Sequence, residues 1–316
     1  MVDEIARTRA GLLMGLAAYL MWGVLPLYFK ALAHVLPSEI VAHRILWSLL
    51  LLGTLVALWR RWPVILAALQ NRKLAAMLAL TACLIAGNWL IYIWAVLNGH
   101  VLEGSLGYYL NPLVNVLLGV VLLKEKLTRA QMVAVALAGC GVAVLAAGAG
   151  DGLWISLTLA ASFATYGFLR KVAPVDSLEG LSIETAFLAP FALGWILWLQ
   201  GSGQGGMATD PVTDALLVLS GAATAIPLLL FTAAAKRLPY STLGFLQYLA
   251  PSMQFLLAVT VFGEALTTSH LLCFGAIWTA LAIFAWEGVR TGRAAARERR
   301  ALAEKAAACV EPCSVP

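Results

Sequence analysis

Apolar runs of about 20 residues, each ended by a short polar stretch, recur along the chain from residue 11 to residue 288. They lie at about 11–30, 38–59, 74–97, 102–123, 129–148, 152–170, 179–199, 212–235, 241–262 and 268–288. A helix rises about 1.5 Å per residue and needs roughly 20 apolar residues to cross a hydrocarbon layer. The pattern therefore predicts an all-α integral membrane protein with ten transmembrane helices. The first run continues into Pro26 and Lys30 without a clear small-residue cleavage site, so it reads as a span and not as a cleaved leader.

Composition agrees. Hydrophobic residues make up 62% of the chain and charged residues 12%, against about 25% charged in soluble domains. A water-exposed fold could not cover that much apolar surface. The positions of the charges fix the orientation. With an even number of spans and both ends inside, the inside segments hold 19 of the 21 Lys and Arg residues. The outside loops hold only Lys30, and Arg44 lies within the second run. Such an excess marks the cytoplasmic face, and an odd number of spans breaks the alternation. The net charge of +5 is thus a topology signal, and nucleic acid is not expected as a partner.

The chain also repeats itself. Tyr109 to Thr128 reads YLNPLVNVLLGVVLLKEKLT and Tyr248 to Thr267 reads YLAPSMQFLLAVTVFGEALT, nine of 20 positions being identical at an offset of 139. The first copy ends beside Lys124, Lys126 and Arg129, and the second in a loop without Lys or Arg. That difference places the copies in opposite orientations. Five spans per half force the same conclusion, because an odd count makes the second half enter from the other side. The expected organisation is two inverted five-helix repeats, residues 1–150 and 151–288, followed by a basic tail at 289–316. Inverted repeats of this sort place a substrate site between the halves.

Pro112 and Pro251 occupy matched positions about ten residues into their spans. A proline there removes a backbone hydrogen bond and clashes with the preceding turn, and the freed carbonyl needs a partner away from lipid. The pair reads as two hinges or cavity walls, with a simple packing kink as the other reading.

Charges within spans are expensive, about 2.5–3.5 kcal/mol at the helix centre. Glu39, Arg44 and Glu184 are the charges well within the runs. Glu39 opens its span, where the helix dipole favours a carboxylate. Arg44 needs an acidic or carbonyl partner, and Glu184, in the inverted counterpart of its own helix, is the expected one. The pair reads either as a structural ion pair or as a charge pair that binds or gates. His43 reads as a hydrogen-bonded interior histidine, and as the lesser candidate beside Glu184 for carrying a coupling proton. Amides and tyrosines share helix faces: Tyr108, Asn111 and Asn115; Asn88 and Tyr92; and, through the repeat, Gln247 and Gln254. These residues are expected to line a solute pocket, interhelical hydrogen bonding being the alternative role. Trp59, Trp62, Trp154, Trp195 and Trp198 fall near span ends and read as an interfacial belt.

No phosphate-binding loop, zinc-protease or nucleophile-elbow motif occurs. Gly148-Ala149-Gly150-Asp151 spells an intramembrane aspartyl protease motif at an outside span end, without a Tyr-Asp partner elsewhere. An enzyme is therefore not expected, nor a metal or other cofactor. Cys83, Cys140 and Cys273 fall in spans and Cys309 and Cys313 in the tail, which is no disulfide framework.

These segments resemble a known family. The doubled proline segment ending in E-x-L-T is similar to the EamA domain of the drug/metabolite transporter superfamily. Glu39-x3-His43-Arg44-x2-Trp47-Ser48, Asn88-Trp89-x4-Trp94-Ala95-Val96, Ser105-Leu106-Gly107-Tyr108 and Asn111-Pro112-Leu113-Val114-Asn115 resemble its RarD branch. So do Ile183-Glu184-Thr185, Phe231-Thr232-Ala233-Ala234-Ala235 and Ser241-Thr242-Leu243-Gly244-Phe245-x-Gln247-Tyr248. The likeness runs from about residue 10 to 288. It implies a bacterial inner-membrane protein of two inverted repeats, and transport of a small organic solute. The branch takes its name from a chloramphenicol-sensitivity phenotype. The expected function is secondary transport by alternating access, with the solute, the bilayer and a proton or counter-solute as partners. The competing reading is a non-transporting sensor or assembly protein acting through its tail. The sequence assigns no oligomeric state.

Overall fold

The computed structural model describes residues 2–123, 128–148, 152–235, 237, 246–283, 286, 287 and 290. Its helices are α1 (Val2–Ala31), α2 (Pro37–Leu58), α3 (Trp62–Gln70), α4 (Arg72–Leu97), α5 (Val101–Leu123), α6 (Arg129–Gly148), α7 (Leu153–Val172), α8 (Ser177–Gly201), α9 (Pro211–Ala235), α10 (Leu249–Thr260) and α11 (Thr268–Ile283). Among the described residues there is no strand. Every apolar run carries a helix. The Arg9–Ala31 part of α1, α2, α4, α8 and the Pro211–Phe231 part of α9 are five segments long and apolar enough to cross a membrane. The chain is thus an all-α, multi-pass membrane protein. Its exterior agrees: Phe191 is 78% exposed and Leu13 68%, a surface suited to lipid and not to water. The five tryptophans expected at the interface are exposed at or near helix ends.

Two boundaries differ from the hydrophobic pattern. The α1 backbone is already helical at Val2, because hydropathy locates the lipid-facing stretch and not the end of the helix. The segment between the second and third runs forms the unexpected α3. Its nine residues, started by Pro63 in the first turn, are apolar but too short to cross. They bury Ile65 and Ala68 beside Leu52, Val56, Leu74 and Leu78.

Capping explains the recurring threonine of the E-x-L-T segments. The Thr128 hydroxyl accepts from the Gln131 amide at 3.2 Å, and the Gln131 side chain accepts from the Thr128 amide at 2.9 Å. This is a reciprocal capping box at the start of α6. Thr267 repeats it at α11, accepting from the His270 amide at 3.2 Å, with His270 Nδ1 facing the Thr267 amide at 3.4 Å. The second glutamate does something different. Glu264 accepts from the Val101 and Leu102 amides at 2.7 and 2.8 Å, capping α5 from across the chain. Burial raises its carboxyl above the usual range, and those two amide bonds offset part of the rise. Residue 125, the matched glutamate of the first segment, lies outside the described residues.

The packing is mostly between distant parts of the chain. α2 packs on α8 and α9, α1 on α9 and α10, α5 on α7 and α10, and α4 on α7 and α8. α2 and α8 run antiparallel and are clasped at both ends. At one end the Glu39 carboxylate accepts from the Gly206 amide at 2.8 and 2.9 Å and from the Met207 amide at 3.3 Å. At the other end Arg61 Nε lies 3.4 Å from Glu179 Oε1. α2 and α9 meet closely at Gly221, whose carbonyl accepts from the Ser48 hydroxyl at 3.1 Å.

Candidate functional site

Arg44 projects from α2 into a box of aromatic rings. The side chain is buried, with 5% exposure. Its guanidinium carbon lies 4.7 Å from the Trp89 ring centre and 5.3 Å from that of Phe29, within cation–π range. Tyr28, Tyr92 and Tyr108 are within electrostatic reach. The Tyr92 ring packs edge-on against Tyr108 at 5.3 Å and against Phe29 at 6.2 Å. Among the described residues a single hydrogen bond holds the guanidinium: Nε donates to the Thr224 hydroxyl of α9 at 2.9 Å. The Tyr92 hydroxyl is buried and has no hydrogen-bond partner among the described residues.

Asn88, one turn from Tyr92, is fully used. Its amide donates to the Leu159 carbonyl at 3.1 Å and the Ser162 hydroxyl at 2.9 Å, and its oxygen accepts from Tyr108 at 3.2 Å. It ties α4 to α5 and α7 and keeps the Tyr108 hydroxyl pinned beside the box.

Glu184 has a different environment from the one expected. It accepts from the Thr81 hydroxyl at 2.6 Å and from Tyr166 at 3.3 Å, and its Oε1 lies 3.6 Å from Arg170 Nε. The expected Arg44–Glu184 ion pair does not form. The antiparallel packing of α2 and α8 explains why. Arg44 lies five residues inside the Glu39 clasp and Glu184 five residues inside the Glu179 clasp at the opposite end. At 1.5 Å per residue this separates them by roughly 18 Å along the axis. Arg170, which reads from the sequence as a topology marker at the end of its run, turns back to neutralise Glu184. Gly180 leaves it room, since a Cβ there would sit 1.9 Å from Arg170 Nη1.

The other expected residues scatter. His43 Nδ1 accepts from the Trp47 indole at 3.3 Å and Nε2 lies 3.8 Å from Glu39, so it belongs to the clasp and not to the box. Asn111 is buried with its oxygen unpartnered. Gln254 donates to the Trp22 carbonyl at 3.1 Å, again with its oxygen unpartnered. Gln247 is half-buried in a turn. The Asn115 and Pro112 side chains lie outside the described residues, although the α5 backbone stays helical through both positions. Pro251 is not a kink within a continuous helix. Leu246 is helical, Gln247 and Tyr248 turn, and α10 starts at Leu249, leaving Pro251 in the first turn. The proline has no amide to offer the Gln247 carbonyl, four residues back, and its ring clashes there. The break lies where that bond would have been. The Pro251 carbonyl accepts from Ser105 of α5 at 2.8 Å, and Tyr109 shares a 2.6 Å hydrogen bond with Ser252. A groove of about 500 Å³ opens here, between α5, α10 and α11, lined by Tyr109, Tyr248, Phe255 and Trp278. Among the described residues it is lined by no charged group.

Of the expected pocket residues, Arg44, Asn88, Tyr92 and Tyr108 come together. Phe29, Trp89 and Thr224 complete the box unforeseen, since one aromatic or hydroxyl among many in an apolar run carries no signal of its own.

Comparison with other sequences places this arrangement. The profile of the EamA-like transporter family matches residues 9–147. A protein of Streptomyces exfoliatus named Protein RarD is 48% identical over 303 residues, 96% of this chain and 95% of that protein. The chain belongs to the EamA-like transporter family, in its RarD branch. A Vibrio cholerae relative, named only as an uncharacterized transporter, is 46% identical over 300 residues and matches 95% of this chain and 99% of its own length. A solved crystal structure with a TM-score of 0.53 and 23% identity covers 86% of this RarD-type chain and 96% of its own, a likeness of fold alone. Membership makes the chain a membrane transporter, and its relatives are bacterial.

Proposed function

We propose that this RarD-type protein carries a small organic solute across the bacterial inner membrane as a secondary transporter working by alternating access. In this reading it crosses the membrane ten times, with both termini in the cytoplasm. Residues 1–150 and 151–288 form two inverted five-helix repeats.

The observation that carries the reading is the matched fate of the two interior charges. Arg44 on α2 hydrogen-bonds a threonine of α9, and Glu184 on α8 hydrogen-bonds a threonine of α4. Exchanging the halves (α1 for α7, α2 for α8, α4 for α9, α5 for α10) turns one arrangement into the other. The same exchange turns α1 on α9 into α7 on α4, and α5 on α7 into α10 on α1, all of which are observed contacts. The matched tyrosines Tyr109 and Tyr248 stack at 6.5 Å, as residues beside a pseudo-two-fold axis would. Buried charge shared between two such halves suits a rocking mechanism around one central site. In it Arg44, Tyr92, Tyr108 and Asn88 serve the solute, and Asn111, Asn115, Gln247 and Gln254 are kept from the sequence as further candidates for the path. The break before Pro251, with Pro112 at the matched position of the sequence repeat, supplies the hinge.

Accessibility to a membrane-impermeant thiol reagent tests the architecture. In a chain freed of native cysteines, Lys126→Cys is expected to label from the cytoplasmic side and Ala265→Cys from the outside. Labelling of both from one side overturns the inverted arrangement. Coupling is tested in vesicles. Glu184 is the proposed proton carrier, because a carboxylate held by Thr81, Tyr166 and Arg170 has neutral and charged partners in place for either state. Glu184→Gln is expected to retain solute exchange while losing accumulation driven by a pH gradient. Full pH-driven accumulation by this variant rules Glu184 out and turns attention to His43.

A further inference from the structure

We propose that the solute is a small monocarboxylate with an apolar or aromatic body, its carboxylate seated on Arg44. The inference rests on the transporter reading for the role of this ligand as cargo, but the site is argued from its own chemistry.

The two interior charges are treated differently by the protein. Glu184 has an arginine, a hydroxyl and a phenol around it. Arg44 has no carboxylate within ion-pair distance among the described residues, and only Nε is hydrogen-bonded. A guanidinium carries five N–H donors in a fork that fits a carboxylate. Here the terminal nitrogens of that fork have no hydrogen-bond partner among the described residues. Burying an uncompensated charge is strongly unfavourable, and rings contribute only a fraction of what an anion would. A folded chain that keeps a bare guanidinium in its interior is built to have the counter-charge delivered.

The neighbours indicate which anion. Tyr92 is 3% exposed, its hydroxyl is buried without a hydrogen-bond partner among the described residues, and its ring belongs to the same box. It is a second donor held ready without an acceptor. Among the described residues no Lys or second Arg joins Arg44: Lys30 sits over Phe262 at 4.5 Å, near the end of α1. His43 is engaged with Trp47 and faces Glu39. One fixed positive charge matches one negative charge, which favours a carboxylate over a doubly charged phosphate ester. A zwitterion would need a free carboxylate for its ammonium group. Glu39 is committed to the Gly206 and Met207 amides and Glu184 to its own partners. The rings gathered around Arg44, those of Phe29, Trp89, Tyr92 and Tyr108, favour an apolar or aromatic body on the anion.

Benzoate and benzamide, which share a shape and differ in charge, make the test. Binding to the purified full chain in detergent is read by thermal stabilisation and by tryptophan fluorescence, with phenylalanine and inorganic phosphate as further probes. Benzoate is expected to bind in preference to the other three. Arg44→Gln is expected to weaken benzoate by about 10- to 100-fold. Tyr92→Phe, which removes one oxygen and no packing, is expected to weaken it by about 3- to 10-fold and to leave any benzamide binding unchanged. Should Arg44→Gln fail to fold, the Tyr92→Phe result decides alone. Equal binding of benzamide, tighter binding of phosphate or phenylalanine, or benzoate affinity indifferent to both substitutions overturns the proposal. Benzoate binding without flux in vesicles leaves the site standing and removes the transporter reading. Flux of uncharged solutes that ignores Arg44 does the reverse.

Discussion

Gly221→Ala is expected to unfold the protein more readily than any other single-methyl change. A Cβ at this position would lie 2.4 Å from the Trp47 carbonyl carbon and Cβ, and 2.6 Å from the Ser48 amide nitrogen. These are mostly backbone atoms of α2, which cannot rotate aside. The helices would have to separate, and the Ser48 bond to the Gly221 carbonyl would stretch with them. Overpacking typically costs about 1–3 kcal/mol, and a contact against main chain belongs at or above the top of that range. The melting midpoint in detergent is expected to fall by about 5 °C or more. Gly87→Ala is the control. Nothing lies within 4 Å of a Cβ there, so its change should be near zero or slightly stabilising, as alanine favours the helix by up to about 1 kcal/mol. Equal midpoints for the two variants would refute the close α2–α9 contact.

The second large effect separates stability from transport. Arg44→Met keeps much of the side-chain length and removes the charge. No carboxylate is stranded by the change. Thr224 keeps an acceptor, because its hydroxyl also lies 2.8 Å from the Ser220 carbonyl. Replacing buried charge by a well-packed apolar group is commonly neutral or stabilising, by up to about 4 kcal/mol. The variant is therefore expected to melt at or above the parent temperature while solute flux in vesicles falls below about a tenth, the loss of one charged hydrogen bond. A structural arginine behaves oppositely, with stability lost and flux per folded molecule kept. Paired measurement of melting and flux distinguishes the two.

Much of this was legible in the sequence because lipid imposes simple rules. Apolar runs mark the helices, and the Thr of each E-x-L-T segment is a helix cap. Arg44 and Glu184 stood out as interior charges because hydrophobic neighbours make any charge conspicuous. The sequence suggests a pair because Arg44 and Glu184 stand equally far into their helices. But α2 and α8 pack antiparallel, so equal offsets lie near opposite ends and the charges part by roughly three helical turns' worth of rise. Arg170 was hidden by its position at a span end, where a long side chain pointing to water and one turned inward look alike in sequence. Thr81 and Thr224 were hidden because a hydroxyl among apolar residues usually satisfies itself on its own helix, as Thr185 does with the Leu181 carbonyl at 2.8 Å. The break before Pro251 was seen as a bend, since proline announces a missing bond without saying how far the chain yields.

The clasp between Glu39 and the segment after α8 grips main-chain amides of Gly206 and Met207, not side chains. A handhold on the backbone is indifferent to most of the spelling of the strap it holds. Evolution is thus free to rewrite that connection without loosening the latch. Only the glutamate itself, and the slimness of residue 206 beside Val35, with 3.0 Å to a would-be Cβ, must be preserved.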